Sequence, residues 1–182
     1  MATNPNFEPL RGHCTCKAIT YTLTAAPLIT HCCHCTYCQR ETGSAFAINS
    51  MIEAYNFRIT STAKPTLVGV PSSSSPTGDK HLVASCHLCM TGIYAHYSGN
   101  KTVIFVKAGT LSDESRGRVS PDAHIFTSTK MEWVDLSKEE EKGRVFSEFY
   151  ERDEIWSEES LDRRKVLLEW AAEQKNHEVA QE

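Results

Sequence analysis

A chain of 182 residues and 20.4 kDa is long enough for one domain with its own hydrophobic core, so bound metal would add to packing rather than replace it. The formal charge of −4 and pI near 6.1 offer no polycationic face for a phosphate backbone, which argues against nucleic acid as a partner. The opening MATNPNFEPLRG has neither the basic segment nor the apolar run of a secretory signal, and no later stretch is long enough to cross a bilayer; the expectation is a soluble, cytoplasmic protein with no membrane partner.

In chain order, short segments rich in β-branched and aromatic residues come first. AITYTLT (Ala18 to Thr24), AFAINSMI (Ala45 to Ile52), HLVAS (His81 to Ser85), GIYAHY (Gly92 to Tyr97), TVIFVKAGT (Thr102 to Thr110) and AHIFTS (Ala123 to Ser128) are predicted strands, most of them separated by turn formers. PSSSSPTGD, Pro71 to Asp79, can bury nothing and is predicted as an exposed loop. After Leu136 the chain becomes charged and helical. SLDRRKVLLEWAAEQK has Ser160 as its N-cap, and Val166, Leu167, Trp170 and Ala171 fall on one helical face. That stripe is expected to pack on the β domain, with a partner or homodimer contact as the alternative; NHEVAQE is expected to fray. The predicted organisation is a mainly β domain over 1–136 and a C-terminal α-helical extension over 137–182, packed on or beside it.

Eight cysteines fall into Cys14-x-Cys16, then Cys33-x-Cys35-x-x-Cys38 preceded by Cys32, then Cys86-x-x-Cys89. Disulfides within these groups are disfavoured by the Cα separation and dihedral a bridge needs, and a reducing compartment keeps thiols free. Closely spaced thiolates suit zinc, because one turn of backbone can supply two corners of a tetrahedron. Cys14, Cys16, Cys86 and Cys89 add up to a closed structural set. Cys33, Cys35 and Cys38 offer three ligands, the pattern of a catalytic zinc with one position open, unless His34, Cys32 or His31 closes it. Three thiolates already overcompensate the metal's two charges, so the open corner favours an incoming thiol, held as thiolate, over water activation.

The succession GHCTCKAITY, CCHCTYCQRETGSAF, ASCHLCMTG, KAGTLSDE and HIFTSTKMEW, from Leu10 to Trp133, resembles the glutathione-dependent formaldehyde-activating enzymes, a family that includes centromere protein V-like domains. The resemblance implies a tent-like arrangement of small antiparallel sheets around zinc. It implies a structural zinc on Cys14, Cys16, Cys86 and Cys89 and a catalytic one on Cys33, Cys35 and Cys38, two per chain. Gly12 and Gly43 match the family's turn glycines. The implied activity joins glutathione and formaldehyde into S-(hydroxymethyl)glutathione, a carbon–sulfur lyase reaction run in reverse. Two positions depart from the pattern: Met90 stands where a glycine usually follows the last zinc cysteine, and Gln39 precedes Arg40 where arginine often follows Cys38.

Within that reading, His34 and Tyr37, which neighbour ligands, are the catalytic candidates for protonating the hemithioacetal oxygen, and Arg40 is the candidate for a substrate carboxylate. His13, His87 and His124 are read as structural, and Trp133 as a core anchor. The alternatives are a same-fold enzyme acting on another electrophile or thioether, or a non-enzymatic zinc-stabilised interaction module.

Overall fold

The computed structural model describes residues 6–71 and 80–179. Among these described residues, ten strands form two sheets. In chain order they are β1 (Leu10–His13), β2 (Thr20–Leu23), β3 (Ile29–Cys33), β4 (Ala47–Glu53), β5 (Phe57–Ile59), β6 (Thr66–Pro71), β7 (Lys80–Ser85), β8 (Gly92–His96), β9 (Val103–Lys107) and β10 (Ala123–Ile125). The smaller sheet has the order β1-β2-β5 and the larger β10-β3-β4-β9-β8-β7-β6. Among the described residues the pairings are antiparallel except that of β10 with β3. Helices are short, α1 (Thr36–Thr42), α2 (Asp113–Arg116), α3 (Ser137–Glu140) and α4 (Arg152–Ile155), until the long C-terminal α5 (Glu158–Val179). The mainly β architecture with a C-terminal helix is as expected. No described helix is long and apolar enough to cross a membrane.

The larger sheet is the middle layer. One face carries Ile52, Ile93, Ile104 and Val106 against Leu10, Tyr21, Leu23 and Phe57 of the smaller sheet and Ile19 just before β2. The other carries Ile29, Cys33, Ala47 and Val103 against Tyr150, Trp156 and Leu167 of the C-terminal segment. Burying apolar side chains on both sides is what holds the layers together. Gly12 lies inside β1, not in a turn: a Cβ there would sit 2.1 Å from Cζ of Tyr21, whose hydroxyl pairs with Thr110 Oγ1 at 2.7 Å. Only glycine lets that ring close over the strand.

Each predicted strand overlaps an observed one, with β4 and β7 each running one residue beyond the predicted bounds, but β1, β3, β5 and β6 were not anticipated. β3, Ile-Thr-His-Cys-Cys, is buried at every position between β10 and β4, so it shows no alternation of apolar and polar residues. β6 is an edge strand with Leu67 and Val68 about half exposed. Of the predicted serine-rich loop, 72–79 lies outside the described residues.

The C-terminal helix starts earlier than its predicted cap. Ser157 Oγ accepts from the Ser160 N–H at 3.1 Å, the N-cap to N3 bond, which leaves Ser160 buried within the first turn. Leu167 is buried and Trp170 meets Tyr55 edge-on at 5.2 Å, whereas Val166 is exposed. Arg163 completes the docking face: its Nε and a terminal nitrogen reach the two carboxylate oxygens of Glu53, the last residue of β4, at 2.9 and 2.7 Å. α5 stays helical through Val179, past the residue where fraying was expected; 180–182 lie outside the described residues. Trp133, expected in the core, is 75% exposed.

Candidate functional site

Three groups of ligating side chains converge among the described residues, each with its donor atoms within 4.8 Å of one another. The first is Cys14, Cys16, Cys86 and Cys89. Cys14 and Cys16 follow β1, while Cys86 and Cys89 lie in the β7–β8 turn, so the group ties the two sheets together. The Cys14–Cys16 and Cys16–Cys86 sulfur separations are 3.6 and 3.7 Å. Four sulfurs about 2.3 Å from a tetrahedral zinc stand roughly 3.8 Å apart, so the tetrad has the spacing of a closed zinc site.

Both turns of the tetrad need the left-handed conformation just after their second cysteine. Lys17 has φ of 62° and Met90 of 59°. The Lys17 N–H bonds Cys14 O and the Met90 N–H bonds Cys86 O, each at 2.9 Å, closing the loops that aim the sulfurs inward. The turn is therefore built with methionine in place of glycine, at a conformational cost of about 1–2 kcal/mol. Since the Met90 side chain is 73% exposed, Met90→Gly should lose little packing. The expected net gain is about 1 kcal/mol after glycine's extra unfolded-state entropy, read as a Tm about 2–4 °C higher for the zinc-loaded protein. A lower Tm would mean that the methionine makes a contact worth more than the strain.

The Cys89 thiol is held down to about 5 by the Thr91 hydroxyl, 3.1 Å away, and by backbone N–H groups. Cys16 is lowered by the Ala18 N–H, but its sulfur neighbours, Cys89 foremost, push it up to about 12. Neighbouring sulfurs thus resist losing all their protons together, and a cation among them removes that resistance.

The second group is Cys33, Cys35 and Cys38. Cys33 ends β3, Cys35 is the N-cap of α1, and Cys38 lies in its first turn, with the Cys38 N–H donating to Cys35 Sγ at 3.4 Å. Hydrogen bonds from Cys33 and Cys38 lower the Cys35 pKa strongly, and sharing with Cys35 raises that of Cys33 to about 11. The same sharing, with burial, drives Cys38 far upward. The three sulfurs thus resist losing their protons together, and a cation among them would remove that resistance. No fourth ligand atom from a Cys, His, Asp or Glu joins these sulfurs among the described residues.

Much of the wall around the triplet comes from distant parts of the chain, the rest from α1 itself. Tyr37 meets His81 at 4.8 Å and Tyr97 at 6.4 Å between ring centroids. Lys107 Nζ bonds Glu41 and the Tyr97 hydroxyl at 2.9 and 3.2 Å. Burial, then the charges of Glu41, Cys38 and Cys35, push the Tyr37 hydroxyl up to about 12, so it keeps its proton. That hydroxyl is buried with no hydrogen-bond partner, and so is Asn49 Oδ1, on the same face of β4 as Ala47 and Met51. His81, Tyr97, Lys107, Glu41 and Asn49 were not anticipated: Glu41 lies one helical turn after Tyr37 on α1, whereas the pairing of the larger sheet brings in the other four from distant parts of the chain.

The other expected residues lie elsewhere. Strand alternation turns Ile29, His31 and Cys33 to one face and Thr30, Cys32 and, in continuation, His34 to the other. His34 Nε2 accordingly faces Cys32 Sγ at 3.6 Å and His124 Nδ1 at 3.1 Å, the third group, and its own Nδ1 is buried without a partner. Burial lowers the His34 pKa to about 4. His31 Nε2 accepts from the Tyr150 hydroxyl at 2.5 Å, and Tyr150 in turn accepts from Trp156 Nε1 at 3.0 Å. Arg40 is exposed, because two helical residues rotate it roughly 200° from Cys38.

The sequence matches the family model for glutathione-dependent formaldehyde-activating enzymes over residues 9–129. The chain belongs to that family. Membership in the glutathione-dependent formaldehyde-activating enzymes agrees with cysteine clusters that could hold zinc, and both cysteine groups fall within the matched residues. Among solved structures, a Rhodobacter sphaeroides protein is similar at 18% identity, with 61% of this chain and 91% of that one covered and a TM-score of 0.42. No curated protein matches the sequence.

Proposed function

We propose that this protein is a cytoplasmic carbon–sulfur lyase that, in the synthetic direction, joins a thiol, glutathione first, to formaldehyde or a related electrophile. The observation that carries the reading is the convergence of Cys33, Cys35 and Cys38 with no fourth protein ligand among the described residues, beside the unpartnered Tyr37 hydroxyl. All eight cysteines are free thiols, in keeping with a reducing compartment. Two zinc ions are proposed, one in the tetrad of Cys14, Cys16, Cys86 and Cys89 and one in the triplet. The chemistry zinc supplies in a three-cysteine site is to keep a substrate sulfur as thiolate at neutral pH.

The protein's own groups do the rest. As the sulfur lone pair forms the new S–C bond, the carbonyl π pair moves onto oxygen, which needs a proton. Tyr37 is the donor: its hydroxyl stays protonated, is buried, and has no competing partner. The phenolate left behind regains a proton from solvent, and in the lyase direction it is this phenolate, not the hydroxyl, that takes the adduct's hydroxyl proton as the S–C bond breaks. The rings of His81 and Tyr97 hold Tyr37 in place, and Lys107 neutralises Glu41 beside it. His34, turned toward His124, acts at most by orienting the Cys33–Cys35 backbone. Arg40 can meet a carboxylate only of a thiol that extends to the protein surface.

The test is exchange NMR with glutathione and formaldehyde, which should show adduct interconversion faster than in buffer; no acceleration rules out this substrate pair. Tyr37→Phe should lower the rate by about 10²–10⁴-fold with zinc content unchanged. A variant as fast as the parent would remove Tyr37 from the mechanism.

A further inference from the structure

Cys32 and His34 take no part in the triplet, yet they are 2% and 0% exposed and face each other. β10 runs parallel to β3 with His124 as the register partner of Cys32, so all three side chains share one face. A tetrahedral zinc, with Zn–N about 2.05 Å and Zn–S about 2.3 Å, spaces its ligand atoms roughly 3.3 Å apart for N to N and roughly 3.6 Å for S to N. The observed separations are 3.1 Å from His34 Nε2 to His124 Nδ1 and 3.6 Å from Cys32 Sγ to His34 Nε2.

The geometry points to a further metal site, independent of the triplet, in which Cys32 Sγ, His34 Nε2 and His124 Nδ1 take a zinc ion. One thiolate and two neutral imidazoles form a borderline-soft donor set suited to zinc. Their single negative charge leaves the assembly with a net charge of about +1, unlike the triplet, where three thiolates leave it near −1. On binding, the Cys32 thiol proton leaves for solvent. The proton that the two inward imidazole nitrogens share moves to the outer nitrogen of its own ring, so one proton is released in all. The orphaned His34 Nδ1 does not distinguish the states, since it lacks a partner in either tautomer of the metal-free pair as well. The site would pin β10 to β3, the strand that delivers Cys33, and so fix the approach to the triplet from a point about 90 residues away in sequence.

Native mass spectrometry of the full chain, titrated with zinc, tests this directly. The wild type should take up three zinc ions, one for each ligand group, and Cys32→Ser and His124→Ala should each take up one fewer. Saturation at two in the wild type and in both variants alike overturns the site and leaves a plain His34–His124 hydrogen bond. A third equivalent that both variants retain also overturns it. Cys35→Ser in the same titration reports on the triplet separately, so failure of this site and failure of the proposed active site are told apart.

Discussion

Cys86→Ser is expected to cost the protein a zinc ion and much of its stability, whereas Cys35→Ser should cost a zinc ion and the activity while the fold survives. Cys86 and Cys14 are both fully buried in the core between the sheets, so the tetrad sits at the seam of the fold. Structural zinc in small peptides supplies about 10–16 kcal/mol of binding free energy. Here the sheets have an apolar core of their own, so the expected loss is smaller, at least about 3 kcal/mol, or on the order of 10 °C in Tm. Cys35 is only partly buried and caps a seven-residue helix at the end of β3, so its replacement should move Tm by no more than a few degrees. Thermal unfolding with metal analysis on the same samples reads both effects. Equal Tm losses in the two variants would refute the division into a bracing site and a reacting site.

Arg163→Leu should destabilise the protein by about 3–5 kcal/mol, a fall in Tm of roughly 6–20 °C. Glu53 is fully buried, and its carboxylate is met by the fork of Arg163 and by Asn56 Nδ2 at 3.1 Å. Removing the guanidinium leaves a buried charge with one neutral donor, and that cost exceeds the worth of the pair itself. Adding Glu53→Gln to the Arg163 variant should therefore recover part of the loss in urea or thermal denaturation. A single-variant effect below about 1 kcal/mol would mean that α5 is held by Leu167 and Trp170 alone.

The ion pair also shows where sequence reading stops. The predicted helix stripe of Val166, Leu167, Trp170 and Ala171 follows from 3.6-residue periodicity, and Leu167 and Trp170 do pack on the domain. Arg163 reads as one more exposed charge until the fold brings it to Glu53, 110 residues earlier. The same holds at the triplet. Cys33, Cys35 and Cys38 are legible because their spacing is local, set by one strand end and one helical turn. His81, Tyr97 and Lys107 are not, because they reach the site from β7, from just beyond β8 and from the end of β9.

Sequence alone sufficed for the tetrad and the triplet of cysteines, the mainly β character, the C-terminal helix and the family, since each rests on residues close together in the chain or on an ordered pattern of such groups. Only the tertiary structure decided how HCCHC is divided. In a strand buried on both faces the two-residue period sends Cys33 toward Cys35 and Cys38, and Cys32 with His34 the opposite way, toward His124 on a parallel neighbour. Four adjacent residues, Cys32 to Cys35, thereby divide between two ligand groups, because which face of the sheet each one meets depends on partners that pairing brings in from far along the chain.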